Sequence, residues 1–462
     1  MGSQFDFDAV VIGGGSAGYA AARTLVVGGA RTAVVDSGAE LGGLCILRGC
    51  MPTKALLHAA ELRHAFSEAE RWGITAGPVR VDVARMFARK DELIADFAGY
   101  RRQQLESGKF QLIREPGSFV DAHTLRLASG RTVTAGHFVV ATGSVIPPPP
   151  VPGLAEAGYL TSDDALRLTA LPASLVVLGG GAVALEFAQF FARLGTRVTI
   201  LQRSPQILRD ADPDVAKELE KALRREGLEL FTGTRVLGAE RTAGGVTVQF
   251  EHGGSVRSVT AEAVFHGLGR TPNTATLGLD RARVLTEGGR IQTDPRQRTS
   301  VPNIYAAGDC CGPHEIVHVA IQQGEVAARN ILNPGASAEM DYRILLSVVF
   351  TAPAVATVGV SEREARAQGR TVRTASYPFN DHGKSMILGC ADGFVKLIAD
   401  AATGEILGGA CVGPQGGELI HEVAVAMGRR MTVKELAALP HYHPTLAEIW
   451  TYPAEELAGH CG

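Results

Sequence analysis

"FDAVVIGGGSAGYAAARTL" (residues 7–25) sets an apolar run, a glycine turn and an alanine-rich stretch in sequence. The run suits a strand buried on both faces of a parallel sheet, and the alanine-rich stretch suits a helix. Gly13, Gly15 and Gly18 stand at the turn. Glycines at this spacing permit a tight bend, let the backbone approach a pyrophosphate, and let helix and strand pack closely. The helix N-terminus then faces the phosphates. A second strand, "RTAVVD", ends in Asp36, 23 residues after Gly13. An acid there can bond the hydroxyl pair of a ribose. Taken alone the glycine turn could be a turn without a ligand. With its strands, helix and acid it reads as a dinucleotide site.

The pattern recurs. "LVVLGGGAVALEFAQFFARLGTRVTIL" gives strand, Gly179, Gly181, Ala184, helix and strand. At the position matching Asp36 stands Gln202, with Arg203 next and Arg209 six residues further on. A carboxylate would repel a 2′-phosphate, whereas a neutral Gln beside guanidinium groups accepts one. The second site therefore favours NADPH over NADH, unless the arginines are only solvated surface charges. "FVVATGS" (138–144) and "NIYAAGD" (303–309) each read as a short buried strand running into a glycine turn. They could return the chain to the first nucleotide, with Asp309 near a ribityl or phosphate group.

Composition limits the alternatives. The chain has 462 residues, 45% apolar and 20% charged, with a net charge of −3. That supports a sizeable core and argues against disorder. No basic block suggests nucleic acid or an anionic membrane, no apolar run approaches a membrane span, and "MGSQFDFDAV" lacks a basic n-region. Seven cysteines in this length do not make a secreted disulfide scaffold. The expected setting is a reducing cytoplasm, where a close cysteine pair is more often catalytic or metal-binding than structural. The proline cluster "IPPPPVPG" (146–153) reads as a connector between domains.

"GGLCILRGCMPTK" (42–54) holds such a pair, Cys45 and Cys50. A zinc site needs four ligands, usually from paired spacings. Cys310 and Cys311 are adjacent, while Cys390, Cys411 and Cys461 are scattered, so no metal site is expected. Buried inert thiols are a second reading. A redox pair is the third: "CMPTKALLHAAEL" looks like a helix starting near Cys50, and a helix N-terminus stabilises a thiolate. Lys54, four residues on, shares the face of Cys50 and adds positive charge.

These segments together resemble the flavoprotein disulfide reductases, a family that includes dihydrolipoamide dehydrogenase, glutathione reductase and mercuric reductase. Gly42, Gly43, Cys45, Gly49, Cys50, Pro52 and Lys54 match the family's redox signature. Both nucleotide motifs, "GLGRTPNT" (267–274), "NIYAAGD", "VFTAPAVATVGVSE" (349–362) and "HYHPTLAE" (441–448) extend the likeness over nearly the whole chain. The resemblance implies FAD in the first fold, a nicotinamide nucleotide in the second and a homodimer joined by the C-terminal domain. It implies that Cys45 is the interchange thiol, Cys50 the flavin-proximal thiol, and Lys54 a neighbour of the flavin paired with Glu186. It makes His443 and Glu448 an acid–base pair that reaches the partner subunit's disulfide, with His441 as a supporting group. The cofactor contacts it carries over are Gly13, Gly15, Gly18, Asp36, Gly43, Lys54, Gly117, Thr142, Gly143, Asp309, His318 and Ala320. Gly179, Gly181, Ala184, Glu186, Gln202, Arg203, Arg209, Val236 and Gly269 complete the set.

The chemistry has its own logic. Thiols do not accept hydride directly, so a flavin must stand between nicotinamide and disulfide. A dithiol exchanging with an outside disulfide needs a proton donor for the leaving thiolate. A histidine titrates in the right range, and a carboxylate fixes its tautomer. The family usually has Thr before the first cysteine and Asn two residues after it, whereas this chain has Leu44 and Leu47. Both changes remove hydrogen bonds near the pair and bear on which disulfide is the substrate.

The expected architecture is α/β. Two Rossmann-like dinucleotide-binding domains, for FAD (1–148 and 271–341) and NAD(P) (149–270), precede an α+β dimerisation domain (342–462). In the last, "GFVKLIADAATGEILGGACVG" (393–413) reads as a hairpin, and residues 55–70 and 85–107 read as helices near the cysteines. The expected function is NAD(P)H:disulfide oxidoreduction, most like dihydrolipoamide dehydrogenase, on a small or carrier-bound disulfide. Two alternatives are a mercuric reductase-like enzyme, suggested by "VTILQRSPQILRDADPDV" (198–215), and a flavoprotein subunit that docks a carrier protein.

Overall fold

A computed structural model describes residues 4–75, 77–335 and 337–460. It divides into two compact units. One holds the chain up to Leu56, Ala84–Pro148 and Gly269–Met340; the other holds Leu57–Val83, Pro149–Leu268 and the chain from Asp341.

In the first unit the opening motif folds as β1 (Phe7–Ile12), α1 (Ser16–Val27) and β2 (Thr32–Val35). The strand Gln111–Ile113, β2, β1 and the strand Thr132–Val140 lie side by side in parallel, and Ile304–Ala306 adds to Thr132–Val140. Thr124–Leu127 and Gly117–Asp121 continue the sheet antiparallel. Alternate β1 side chains explain its continuous apolarity. Val10 and Ile12 face a core with Phe119, Phe138 and Ile304, while Ala9 and Val11 face another with Ala21, Leu25 and Ala327. Both faces of the sheet are covered, as a parallel sheet requires. On the second face α1 lies against the helix Val317–Leu332. A Cβ on Gly324 would stand 2.2 Å from the Ala17 carbonyl oxygen, so only glycine permits this approach.

The cysteine segment forms α2 (Gly43–Arg48) and α3 (Cys50–Ser67). Here the structure differs from the expectation of a separate helix over 55–70. No breaker separates residues 54 and 67, so one helix runs from Cys50, with Pro52 tolerated in its first turn. A 3-10 turn, Ala69–Trp72, ends at Gly73 with φ +74°. The long helix α4 (Val83–Leu105) begins and ends two residues before its expected limits.

In the second unit Glu229–Phe231, Arg197–Leu201, Ser174–Leu178 and Ala263–His266 form a parallel sheet, and the helix Ala182–Arg193 follows the second glycine turn. Three antiparallel strands, Arg235–Thr242, Gly245–His252 and Ser255–Ala261, make a separate sheet. The C-terminal part is a five-stranded antiparallel sheet with helices. Its Phe394–Asp400 and Ile406–Gly413 strands form the expected hairpin. The fold is thus α/β with two Rossmann-like parallel sheets and a C-terminal α+β portion. Among the described residues no helix is long and apolar enough to cross a membrane.

Lys396 of that hairpin is almost fully buried among carboxylates. Its Nζ lies 3.2 Å from Asp212, 2.9 Å from Asp214 and 2.9 Å from Glu362. Asp212 also accepts the backbone N–H groups of Glu362 and Arg363. Burial works to lower the Lys396 pKa, but its carboxylate neighbours outweigh it and the net direction is upward. Lys396→Met would leave three carboxylates without their cation. Breaking a buried ion pair costs about 3–5 kcal/mol, and the partial exposure of Asp214 and Glu362 places the expected loss at the lower end. Urea unfolding at neutral pH should show it. The deficit relative to the parent should shrink as pH falls and the carboxylates take up protons.

Candidate active site

Gly49 separates the two thiols, and its backbone makes the turn that brings them together. A Cβ there would meet the Leu44 carbonyl oxygen at 3.0 Å and Cys45 Cα at 3.1 Å. Cys45 sits inside α2 and Cys50 opens α3, both partly buried thiols. The Cys45 thiol hydrogen-bonds Cys50; that bond and burial push its pKa up, against the opposing charge of Lys54. Cys50 stands at the start of a helix, where a thiolate is best stabilised. Leu47 packs on Gly42 and lines a cleft of about 520 Å³ with Leu41, Ile94 and Arg114.

Around the first nucleotide motif the geometry is that of a cradle. Gly13, at φ +103°, would clash with the Ala141 oxygen if it carried a Cβ, at 2.4 Å. At Gly18 the same atom would lie 1.8 Å from the Gly13 oxygen. Gly15, by contrast, has one neighbour within 4 Å, Gly43 Cα at 3.9 Å, and Gly143 has none. Space is therefore closed behind the loop and open in front, where a pyrophosphate would lie on the N-terminus of α1. Asp36 accepts the Gly14 N–H at 2.7 Å and the Gly38 N–H at 2.8 Å, so it clamps both loops and keeps lone pairs for a ribose. These residues fit FAD.

The structure brings Thr142, Gly143 and Asp309 into the same unit through partners that sequence reasoning missed. Ser144 donates to Asp309 Oδ2 at 2.6 Å, and Arg270 donates to the Ser144 hydroxyl and carbonyl. Arg270 lies within the quoted "GLGRTPNT", which was the available signal. His318 and Ala320 fall in the first turn of Val317–Leu332, with the Ala320 side chain packed in the α1 core and its N–H bonded to Ile316. Gly117 lies on an edge strand, where a Cβ would meet Leu125 at 2.6 Å. Arg101 of α4 was also missed. Its guanidinium stacks over Tyr19 at 4.3 Å; burial lowers its pKa, and its charge reaches Cys45.

At the second motif Gly179 again needs its φ of +112°, and Gly181 is open in front. Ala184 replaces the third glycine, and the lost room reappears at Gly267, another unpredicted residue. A Cβ on Gly267 would lie 2.8 Å from Ala184 Cβ. Gln202, Arg203 and Arg209 share the loop after Arg197–Leu201. Gln202 donates to the Gln206 carbonyl, and Arg209 pairs with Asp210 at the surface, whereas Arg203 is exposed. Val236 pairs across the antiparallel sheet with Phe250, and Gly269 has φ +108° with no neighbour within 4 Å. Glu186 is buried and accepts the Phe350 N–H at 2.9 Å.

His443 and Glu448 meet as the sequence suggests, with Nδ1 2.9 Å from Oε2. The His443 side chain is 78% exposed and Glu448 is buried. His441 is not part of this pair; its Nε2 lies 2.6 Å from Glu422. Cys310 and Cys311 are buried and hydrogen-bonded to carbonyls, burial pushes Cys411 up to about 12, and Cys461 lies outside the described residues. Among the described residues no group of three or more His, Cys, Asp or Glu could hold a metal ion.

The pyridine nucleotide-disulphide oxidoreductase family matches residues 7–324, and its dimerisation domain matches 345–454. The chain belongs to the pyridine nucleotide-disulphide oxidoreductases. It is 39% identical to a dihydrolipoyl dehydrogenase of Thermus scotoductus, over 98% of this chain and 97% of that protein. It is 33% identical to a mercuric reductase of Staphylococcus aureus, over 96% and 81%. Its fold matches the crystal structure of LpdA from Mycobacterium tuberculosis with a TM-score of 0.87 and 30% identity, over 97% and 99% of the two chains. The HOCl-induced flavoprotein disulfide reductase RclA from Escherichia coli gives a TM-score of 0.85 at 27% identity, over 97% and 99%. This oxidoreductase is accordingly FAD-dependent, uses NAD(P) as second nucleotide, and acts in disulfide chemistry.

The exchange of room between Ala184 and Gly267 is testable. Gly267→Ala should weaken nicotinamide nucleotide binding, measured by fluorescence titration of the FAD-loaded enzyme. Adding Ala184→Gly should recover part of the loss, leaving the 3.0 Å approach to the Leu178 oxygen as the residue of strain.

Proposed function

We propose that this oxidoreductase passes electrons between NADPH and a disulfide of the dihydrolipoyl type, as a cytoplasmic homodimer. The observation that carries the reading is one chain holding both a hydrogen-bonded Cys45–Cys50 pair and the His443–Glu448 pair. The likeness to dihydrolipoyl dehydrogenases supports the substrate class. In this reading residues 1–148 and 271–341 hold FAD, 149–270 hold the nicotinamide nucleotide, and 342–462 form the dimer interface.

FAD, when bound, supplies the two-electron carrier that thiols need in order to draw on a nicotinamide. The residues do the rest. Reduced Cys45 gives its proton to His443 Nε2 and, as thiolate, attacks the substrate disulfide to form a mixed disulfide; the departing sulfur takes that proton from His443. Cys50 then attacks Cys45, releasing the second substrate thiol and closing the Cys45–Cys50 disulfide. Two thiols are oxidised and one disulfide is reduced; the reverse sequence oxidises a dihydrolipoyl group. Glu448 holds the His443 Nδ1 proton, so Nε2 faces the reacting sulfur. Lys54 and Glu186 assist at the flavin. Leu44 and Leu47 make the surroundings of the pair more apolar than the family's Thr and Asn would, which suits a hydrocarbon-bearing disulfide.

Cofactor choice rests on Gln202 and Arg203. Arg209 contributes less, because Asp210 engages it. Arg203→Glu should raise the KM for NADPH far more than that for NADH, since it sets repulsion beside the 2′-phosphate. Equal KM values for both nucleotides in the parent enzyme would refute the preference.

The shared site has a sharper test. Cys45→Ser and His443→Gln chains should each be inactive as homodimers. Their heterodimer should regain activity, because one of its sites combines an intact Cys45 with an intact His443 from the partner subunit. Purified heterodimers as inactive as the parents would show that His443 serves its own chain or takes no part.

A further inference from the structure

Glu448 has a second imidazole. His382 is fully buried, at 0% exposure, and its Nε2 lies 3.3 Å from Glu448 Oε1, while His443 occupies Oε2. Its other ring nitrogen, Nδ1, lies 2.7 Å from the Ser385 hydroxyl. The ring is fixed from the side as well. Tyr452 meets it edge-on at 6.3 Å, and Tyr377 stacks on Tyr452 at 4.0 Å and donates to Asp381. Four side chains therefore run in series: Ser385, His382, Glu448 and His443.

The proton positions follow from charge. Burial, partly offset by Glu448, holds the His382 pKa down, so the imidazole is neutral. A neutral imidazole carries one proton, and the two tautomers differ in what faces the carboxylate. With the proton on Nδ1, the Nε2 lone pair would oppose Glu448 Oε1. With the proton on Nε2, the N–H lies on the carboxylate side of the ring and Ser385 donates to Nδ1. The second arrangement places a partial positive charge, rather than a lone pair, beside Oε1. The Nε2 contact lies off the ideal hydrogen-bond axis, and its attraction is mainly electrostatic.

We propose that His382 is a positioning residue for the acid–base pair, acting through Glu448. It fixes one oxygen of the carboxylate without adding charge, so the other stays aligned on His443 Nδ1 and keeps the His443 Nε2 lone pair turned outward. Without it, a buried carboxylate oxygen loses its polar neighbour and the group is free to rotate away from His443. This rests on His443 and Glu448 being the acid–base pair.

The test uses the FAD-loaded full-length enzyme with lipoamide as disulfide. Two steps are followed separately by rapid mixing: reduction of the bound flavin by NADPH, and thiol–disulfide exchange with lipoamide. His443→Gln is the control for the parent reading and should slow exchange by roughly 100- to 10,000-fold. If it does not, or if the parent enzyme does not turn over lipoamide, the parent reading falls and this inference with it. Given that loss, His382→Phe should slow exchange by about tenfold or more, the loss typical of removing a group that orients a reacting ligand. It should leave flavin reduction unchanged. His382→Gln, which sets an N–H near the place of Nε2, should recover most of the rate. In a Glu448→Ala background the His382→Phe effect should vanish. If Phe does not fold, His382→Asn, too short to reach Glu448, carries the same expectations. Exchange at the parent rate, no recovery by Gln, or an undiminished effect without Glu448 would each overturn the role of His382 alone.

Discussion

The first unit depends on the approach of two backbones, Gly15 at the head of α1 and Gly43 at the head of α2. A Cβ on Gly43 would stand 2.6 Å from Gly15 Cα. Nothing larger than hydrogen fits at that point. The approach sets the helix that carries Cys45 against the helix whose N-terminus lies open to a pyrophosphate. Redox pair and nucleotide cradle are therefore one construction. Gly49 then turns the chain so that Cys45 and Cys50 lie within hydrogen-bond reach of each other. The steric demands of three glycines thus decide where the thiols stand relative to the nucleotide loop, before any side-chain chemistry acts.

Much of this was readable from residues alone, because it is written in local terms. The apolar run at Phe7–Ile12, the glycine spacing and the acid at Asp36 each specify backbone or charge within a few residues. The His443–Glu448 pair lies five positions apart on one segment and could be matched directly. What escaped notice is held by long-range geometry. Ser144 and Arg270 are ordinary residues until Asp309 is placed beside them, and Gly267 gains meaning from Ala184, 83 positions earlier. His382 lies 66 residues before Glu448, in a stretch with no chemical signature of its own. The helix expected at 55–70 missed for another reason. Residues 55–70 read as a second helix beside the one expected to start near Cys50, but nothing between Lys54 and Ser67 interrupts the backbone, and Pro52 in the first turn costs no hydrogen bond, so the two are one helix.

Asp36 and His441 show how pattern and placement differ. Asp36 stands where a ribose acid should, but it also holds the backbone of both neighbouring loops, so its function and its structural duty cannot be separated by a single substitution. His441, two residues from His443, is tied instead to Glu422. Proximity in sequence does not make it a member of the pair.

The carboxylate nest around Lys396 has a wider consequence. Asp212 opens the helix Pro213–Arg225 beside the second parallel sheet, Lys396 belongs to the C-terminal sheet, and Glu362 begins a short helix between strands of that sheet. One buried cation is common to all of them. The two portions are therefore tied by one buried ion cluster, and a cut between them would part the cation from the carboxylates of Asp212 and Asp214. A chimera that exchanges the C-terminal portion for a relative's must bring a lysine at this place, or bring neutral residues in place of Asp212 and Asp214.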